Sequence, residues 1–443
     1  MGPFVPHSPA DQAEMLRFLG LDSLDELYSG LPDELRLKGG LNIPEGKSEL
    51  EARRQMEAMA AKNKVFTTMF RGAGAYRHYV PAIVKDVASK EALVTAYTPY
   101  QPEASQGVLQ CIFEYQTMIC ELTGMDASNA SVYDGATACA EAVTMCVDKK
   151  RGAAYISGAV HPDYLATVQT YCTAANRELV VVPEKDGVTD LKFLQEHMGD
   201  DSACFVMQQP NFYGVIEDAD ALIAAAKAAG AKAVVCVNPI FAAIGKTPGE
   251  CGADIAVGEG QPLGLGLNFG GPYLGFMAAT QLMERKLPGR IVGQTRDIEG
   301  RRAFVLTLMA REQHIRREKA SSGICSNQAL CAVAAACYMA AMGPDGLTMA
   351  AEQCMSKTHT MAKRIAAIPG YELIFQGEFF HEFVTRCPVE PDRLMARLEE
   401  NGILGGYVLK GKYENCVLWC CTELNTRAEI DALVGILREV APR

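Results

Sequence analysis

The chain has 443 residues, 49% of them hydrophobic and 21% charged, enough for a large core and two to three domains and incompatible with a disordered acidic chain. Forty-two basic against 53 acidic side chains leave a formal net charge of −11, which opposes phosphate backbones and anionic membrane surfaces, so neither nucleic acid nor a membrane is an expected partner. The 16 cysteines are scattered without a C-x-x-C pair and the 7 histidines without an H-x-x-x-H pair, which favours reduced, buried thiols in a cytoplasmic protein over a disulfide scaffold or a metal site.

Residues 1–65 read as a helical arm. The opening MGPFVPHSPADQAEM has neither a basic nor an apolar leader region, so no secretory signal is expected. Ser8 and Asp11 form a capping signal ahead of an apolar face of Met15, Leu16, Phe18 and Leu19. A second helical run spans Ser48 to Lys62, after the linker GGLNIPEG. Residues 70–110 are rich in Gly, Pro and Tyr. Pro99 and Pro102 push their neighbours to extended backbone, which predicts an ordered loop carrying Tyr97, Tyr100 and Gln101. A helix is predicted from Ser105 to Leu122, stopped by Gly124.

Between 130 and 280 the pattern alternates. Apolar runs at 153–157, 178–183, 203–207, 233–237, 254–257 and 275–280 predict strands, with helices at Asp163–Ala175, Asp190–His197 and Asp218–Ala229. Such runs separated by helices predict a mainly parallel sheet covered on both faces, in a large domain over 66–345. The apolar run Ala329 to Met342 is 14 residues of mostly small side chains, too short for a bilayer and suited to a packed core helix. Residues 346–443 alternate strand and helix twice and predict a small α+β domain.

Several chemical motifs fail. GLGLNFGG puts Phe269 where a dinucleotide fingerprint needs its third glycine, and there is no Walker A motif or G-x-S-x-G elbow. SVYDGATACAEA sets Gly135, Ala136 and Thr137 at a helix N-terminus, which is either an anion site or an ordinary cap. The charged segment Arg311, His314, Arg316, Arg317 and Lys319 before an Ala-rich helix reads as an interface or a solvated face.

Longer strings are more specific. TAYTPYQPEASQG, GEGQPLGLGLNFGGPYLG and PGRIVG followed by AREQHIRREKASSGICSNQAL resemble the P-protein family of the glycine cleavage system, as do ELTGMDASNASVYDGATACAEA, QQPNFYGVIED and PGECGADI. The resemblance covers essentially the whole chain. It is strongest to the alpha, N-terminal chains of organisms that split the enzyme in two.

The resemblance implies an α/β fold of the fold-type-I PLP-dependent transferase kind. That fold has a mostly parallel seven-stranded-type sheet, a helical N-terminal arm and a small α+β C-terminal domain. It implies a glycine dehydrogenase (aminomethyl-transferring) that uses pyridoxal 5′-phosphate (PLP), releases CO2 from glycine and passes the aminomethyl group to lipoyl H-protein. PLP chemistry needs a lysine and usually a carboxylate beside the pyridine nitrogen. The family's catalytic half has that lysine eleven residues before the proline of a glycine-rich run. Here that position, counted from Pro272, is Gln261, and no lysine lies between Lys246 and Lys286. The carboxylate position aligns with Asn238. Lys149 and Lys150, at a helix end, and Lys246, in a turn, are poor substitutes.

The resemblance therefore implies an alpha subunit without its own PLP lysine, paired with a PLP-bearing beta subunit in an α2β2 assembly. Tyr97, Tyr100, Gln101, Ser105 and Gln106 are its candidate contributors to a shared site, and Ser321, Ser322 and Asn327 its candidates for approaching the partner's PLP phosphate. Arg316, Arg317 and Lys319 are candidates for interface ion pairs or H-protein docking. Two other readings stay open: a scaffold that only stabilises the beta subunit or docks H-protein, and an independent PLP enzyme, which the missing lysine disfavours.

Overall fold

The computed structural model describes residues 7–37, 39 and 41–442. The first six residues, part of the leader reading, and Lys38, Gly40 and Arg443 lie outside the described residues. The chain separates into two compact units, residues 1–65 and 66–443. In the first, helices Pro9–Leu19 and Glu49–Ala60 both start with a capping box, at Ser8 with Asp11 and at Ser48 with Glu51. None of its described residues is buried. Caps and local pairs such as Arg53–Glu57 at 2.9 Å hold these helices.

The second unit is built on a seven-stranded sheet. Its strands are β1 (Ala127–Ser128), β2 (Ala153–Ser157), β3 (Leu179–Val182), β4 (Ser202–Gln209), β5 (Lys232–Val237), β6 (Ile255–Glu259) and β7 (Gly275–Ala279). The spatial order is β1-β7-β6-β5-β4-β2-β3. Pairings from β6 through β3 are parallel, and β7 runs antiparallel to both β6 and β1. Six of the seven strands stand where the apolar runs predict them. β1, only two residues long, has no run to reveal it.

Side chains alternate across the sheet as a two-residue period requires. Phe205, Met207, Val235 and Phe276 face one core, shared with Tyr115, Ile119, Leu222, Ala332 and Tyr338 from helices. Cys204, Val206, Val234 and Met277 face the other, against Ala138, Val143, Val168 and Cys172. Both faces are thus dry, which explains why the strands read as unbroken apolar runs. All sixteen cysteines are free; most are buried and only Cys325 is exposed.

A hairpin of β8 (Val292–Arg296) and β9 (Arg302–Leu306) has no counterpart among the predicted elements. Its backbone is held by side chains of helix Gln106–Thr123. The Gln116 amide pairs with both Val292 N–H and C=O at 2.9 Å, and the Gln106 amide with Phe304 N–H at 2.9 Å and C=O at 2.8 Å. Helix Ala329–Ala366 breaks at Gly343, φ 62°, just before Pro344. By length and composition it resembles a membrane span, but Ala332, Ala335 and Tyr338 lie fully buried in the sheet's core.

The C-terminal residues form an antiparallel sheet of Glu372–Leu373, Glu382–Arg386, Cys416–Cys420 and Tyr407–Val408, in that order. Helices Pro391–Glu400 and Arg427–Val440 pack on it around Phe383, Trp419, Leu394 and Leu433. Thr68–Met69 pairs with Ile403–Leu404, so the chain enters the second unit beside its C-terminal part. It then crosses as the segment Arg71–Tyr79 to the carboxyl ends of β5 and β6.

Candidate active site

In open α/β sheets ligands sit outside the carboxyl ends of the strands. Here that position is already filled by the protein. Gln261, two residues beyond β6, is fully buried. Its Oε1 accepts from Tyr76 N at 2.9 Å, and its Nε2 donates to Tyr76 O and Leu265 O, both at 2.9 Å. The amide standing in the lysine position is therefore a clamp on the Arg71–Tyr79 segment. Glu382 grips the same segment, accepting from Ala73 N at 2.7 Å and from the Tyr76 hydroxyl at 2.8 Å. His161 adds an Nε2–Ala73 O contact at 2.9 Å.

The helix N-terminus at Gly135 is also occupied. Gly135 N donates to Glu259 Oε2 at 3.0 Å, and Thr137 N to Asp134 Oδ1 at 2.7 Å. Glu259 Oε1 accepts from Gln261 N and Leu274 N, both at 2.9 Å. Gly135 must be glycine, since a Cβ would stand 2.1 Å from the Tyr164 hydroxyl oxygen. Burial pushes the Glu259 carboxyl up to about 7 although three backbone N–H groups pull it down. Glu382 is likewise pushed up to about 7 by burial. His381, against Tyr76 with ring centroids 4.3 Å apart, is held well below the usual imidazole range by burial and the nearby His78. Asn238 turns its Oδ1 to Ile240 N at 2.9 Å and Phe241 N at 3.1 Å, a cap on its own turn.

A cavity of about 40 Å³ remains between Tyr76, Glu259 and Glu382, room for about three waters. A wider cleft of about 550 Å³ opens outside it, lined by Tyr133, Asp134, His161, Asp163, Tyr164 and Tyr273. Its carboxylates have the wrong sign for a phosphate. These residues do not fit PLP: the lysine is an amide already in use, and two carboxylates hold the anion site. Lys149 and Lys150 are exposed, and Lys246 is exposed in an ion pair with Asp220 at 2.7 Å. None of the three lines the pocket.

Another cavity, of about 540 Å³, lies on the rim. It brings together three of the predicted site residues, Tyr97, Tyr100 and Asn327, with Arg290, Cys325, Ser326 and Gln328. Tyr97 is 90% exposed. Tyr100 is partly buried; burial pushes its hydroxyl up to about 12, against the opposing effects of Arg290 and Asn327. That hydroxyl donates to Asn327 Oδ1, and Asn327 Nδ2 donates to Ser131 Oγ at 3.0 Å and Ala130 O at 3.2 Å. Gln101 is exposed one residue further on, and Ser105 precedes the helix that begins at Gln106. The Gln106 amide is engaged with the β9 backbone and with Pro102 O at 2.8 Å. Ser321 is exposed. Ser322 Oγ accepts from Ile324 N at 3.0 Å and lies beside the buried Glu141 carboxyl, so it faces a different wall. Arg316, Arg317 and Lys319 are exposed, whereas Arg311 and Glu312 turn inward.

Sequence reasoning did not single out Tyr76, Glu259, Glu382 or Arg290. Tyr76, Glu259 and Arg290 stand in glycine-containing strings, but Tyr76 meets Gln261 and Glu382 185 and 306 positions away, and Glu259 meets Gly135 124 positions away.

A mostly parallel seven-stranded sheet, a glycine-started helix aimed at a pocket beyond the strand ends and an α+β C-terminal part define the fold of type-I PLP-dependent transferases. A mutant of the cystine lyase C-DES, solved with glycine linked to its PLP cofactor, shares that fold at a TM-score of 0.61 and 14% identity, covering 87% of this chain and 99% of its own. A family model for the glycine cleavage system P-protein matches residues 3–437. The chain is 49% identical over 441 residues to a probable glycine dehydrogenase (decarboxylating) subunit 1 from Moorella thermoacetica, covering 99% of each chain. It superposes at a TM-score of 0.92, with 41% identity and coverage of 99% and 100%, on a crystal structure of glycine decarboxylase (P-protein) in inhibitor-bound form. The chain belongs to the glycine cleavage system P-protein family.

Proposed function

We propose that the chain is the alpha subunit of a two-chain glycine decarboxylase. With a PLP-bearing beta subunit, in an α2β2 assembly, it decarboxylates glycine and passes the aminomethyl group to lipoyl H-protein. PLP, when bound to the partner, supplies the electron sink for decarboxylation. The observation that carries this reading is Gln261: the lysine position holds a buried amide committed to Tyr76. A chain of this family so arranged works by completing a neighbour's site, and the rim cavity is the place where it does so.

At that cavity the exposed ring of Tyr97 and, just outside the lining, the exposed amide of Gln101 supply contact surface and hydrogen bonds for the glycine carboxylate. Tyr100 stays a neutral hydroxyl. Ser105 and Gln106 shape the helix start beneath them. Asn327, with the exposed Ser321 further along the chain, approaches the partner's PLP phosphate, whereas Ser322, turned to Glu141, does not. The partner that covers this exposed wall removes water from it, and moving a carboxylate from water into such a covered site favours loss of CO2.

The test is glycine–bicarbonate exchange in the reconstituted two-chain enzyme with H-protein. Tyr97→Ala and Gln101→Ala are expected to lower exchange by about 10- to 100-fold while co-purification with the beta subunit persists. Exchange at the parent rate would show the chain to be a scaffold. Exchange by the isolated chain would overturn the reading altogether.

A further inference from the structure

The motif PGRIVG contributes Arg290, which the reading above leaves without a role. Arg290 follows Gly289, φ 71°, and its C=O accepts from Ala130 N at 2.8 Å. Its guanidinium carbon stands 5.5 Å from the centroid of the Tyr100 ring. The guanidinium is ion-paired with Glu312, and the two side chains are only 18% and 3% exposed. Arg290 Nε and Glu312 Oε1 are buried with no partner among the described residues. Arg311 closes the other side, donating from Nη2 to Gly289 O at 2.7 Å.

Tyr100 is thus supported twice. Its hydroxyl reaches Asn327, which reaches Ala130 and Ser131. Its ring lies against Arg290, whose backbone is tied to the same Ala130. Ring, amide, backbone and guanidinium form a closed frame at the cavity wall. A cation over an aromatic face, desolvated on its other side, is held more firmly than an exposed one.

We propose that Arg290, clamped by Glu312, is the positioning residue for Tyr100, setting through its ring where the Tyr100 hydroxyl stands in the cavity. The proposal rests on the reading of that cavity as the shared site. Arg290 acts through Tyr100, so its effect disappears when Tyr100 no longer matters.

A double-mutant cycle in the two-chain enzyme tests this. The variants are Arg290→Gln with Glu312→Gln, so that no charge is stranded, Tyr100→Phe, and all three changes together. Each of the first two is expected to lower kcat/KM of glycine–bicarbonate exchange by about 10-fold, with subunit association unchanged. The triple variant is expected to lose no more than Tyr100→Phe alone. Multiplying losses would mean independent, structural roles and would overturn the proposal, as would full exchange activity in the Arg290/Glu312 variant beside a weakened Tyr100→Phe. Full activity in Tyr100→Phe would instead remove the cavity reading and the proposal with it. If the Arg290/Glu312 variant does not assemble, Glu312→Gln alone, which loosens the guanidinium and keeps its charge, enters the same cycle with the same expected non-additivity.

Discussion

Restoring a lysine at position 261 tests whether the pocket is merely missing one residue or has been rebuilt. In Gln261→Lys the Tyr76 N–H loses its acceptor, now at 2.9 Å, and a buried orphaned donor costs about 1–3 kcal/mol. The ammonium that replaces the amide enters a fully buried position, and its desolvation adds several kcal/mol unless it loses its proton or pairs with Glu259 or Glu382. A net loss of about 3 kcal/mol in a unit of about 380 residues corresponds to a fall in Tm of roughly 4 °C. PLP retention is expected to stay absent, because Glu259 and Asp134 hold the N–H groups of the Gly135 helix and Arg71–Tyr79 fills the space beside them. The assay pairs thermal unfolding of the purified variant with PLP content after incubation and desalting. A variant that unfolds at the parent temperature and keeps one PLP per chain would refute the reasoning, since it would show that only the lysine is lacking.

Two more outcomes follow from the same geometry. Glu259 and Glu382 rise from an ordinary 4.5 to about 7 on burial, so the folded chain binds more protons than the unfolded one across that window. Their contribution is complete below about pH 4.5 and is lost as pH rises through about 7, roughly 3 kcal/mol at most for each. Glu259→Gln is expected to flatten its share of that slope, read from urea midpoints at about pH 5 and about pH 8; an identical pH dependence would exclude it. Gln106→Leu removes both bonds to Phe304 and is expected to cost about 1–3 kcal/mol. An unchanged urea midpoint would show that the Gln106 amide does not hold the hairpin.

The sheet was legible because both of its faces are dry. Ala153–Ser157 and Ser202–Gln209 are almost wholly buried, and that condition writes itself as an apolar run. Helix boundaries were legible where chemistry is local, as in the Ser8–Asp11 box and the Gly124 stop. The hairpin Val292–Leu306 was not, because its turn end is charged, from Arg296 to Arg302, and its stability comes from Gln106 and Gln116 far upstream. Gln261 could be singled out by what it replaces, but its three bonds could not. Nothing in RGAGAYRHYVP announces that Tyr76 will reach Gln261 and Glu382, residues 185 and 306 positions away. Tyr97 and Tyr100 came from one candidate group and Asn327 from another, and the fold brings the three to one cavity, whereas Ser322 turns to Glu141 instead.

The filled pocket also explains why the loss of a lysine leaves the fold intact. Gln261 joins β6 to Arg71–Tyr79, and Glu382 joins that segment to the C-terminal sheet. His78 adds a bond to Glu423 at 2.8 Å on the same side. The place where a cofactor would tie large and small parts together is tied by side chains of the chain itself. Reopening it would strand buried carboxylates and backbone donors at once, a cost no single substitution recovers. Tyr97 and Gln101, at the rim, carry no such burden: both are exposed and neither joins a bond across the filled pocket. Changes there are therefore free to alter chemistry without touching stability, and that separation is what makes the exchange measurements decisive.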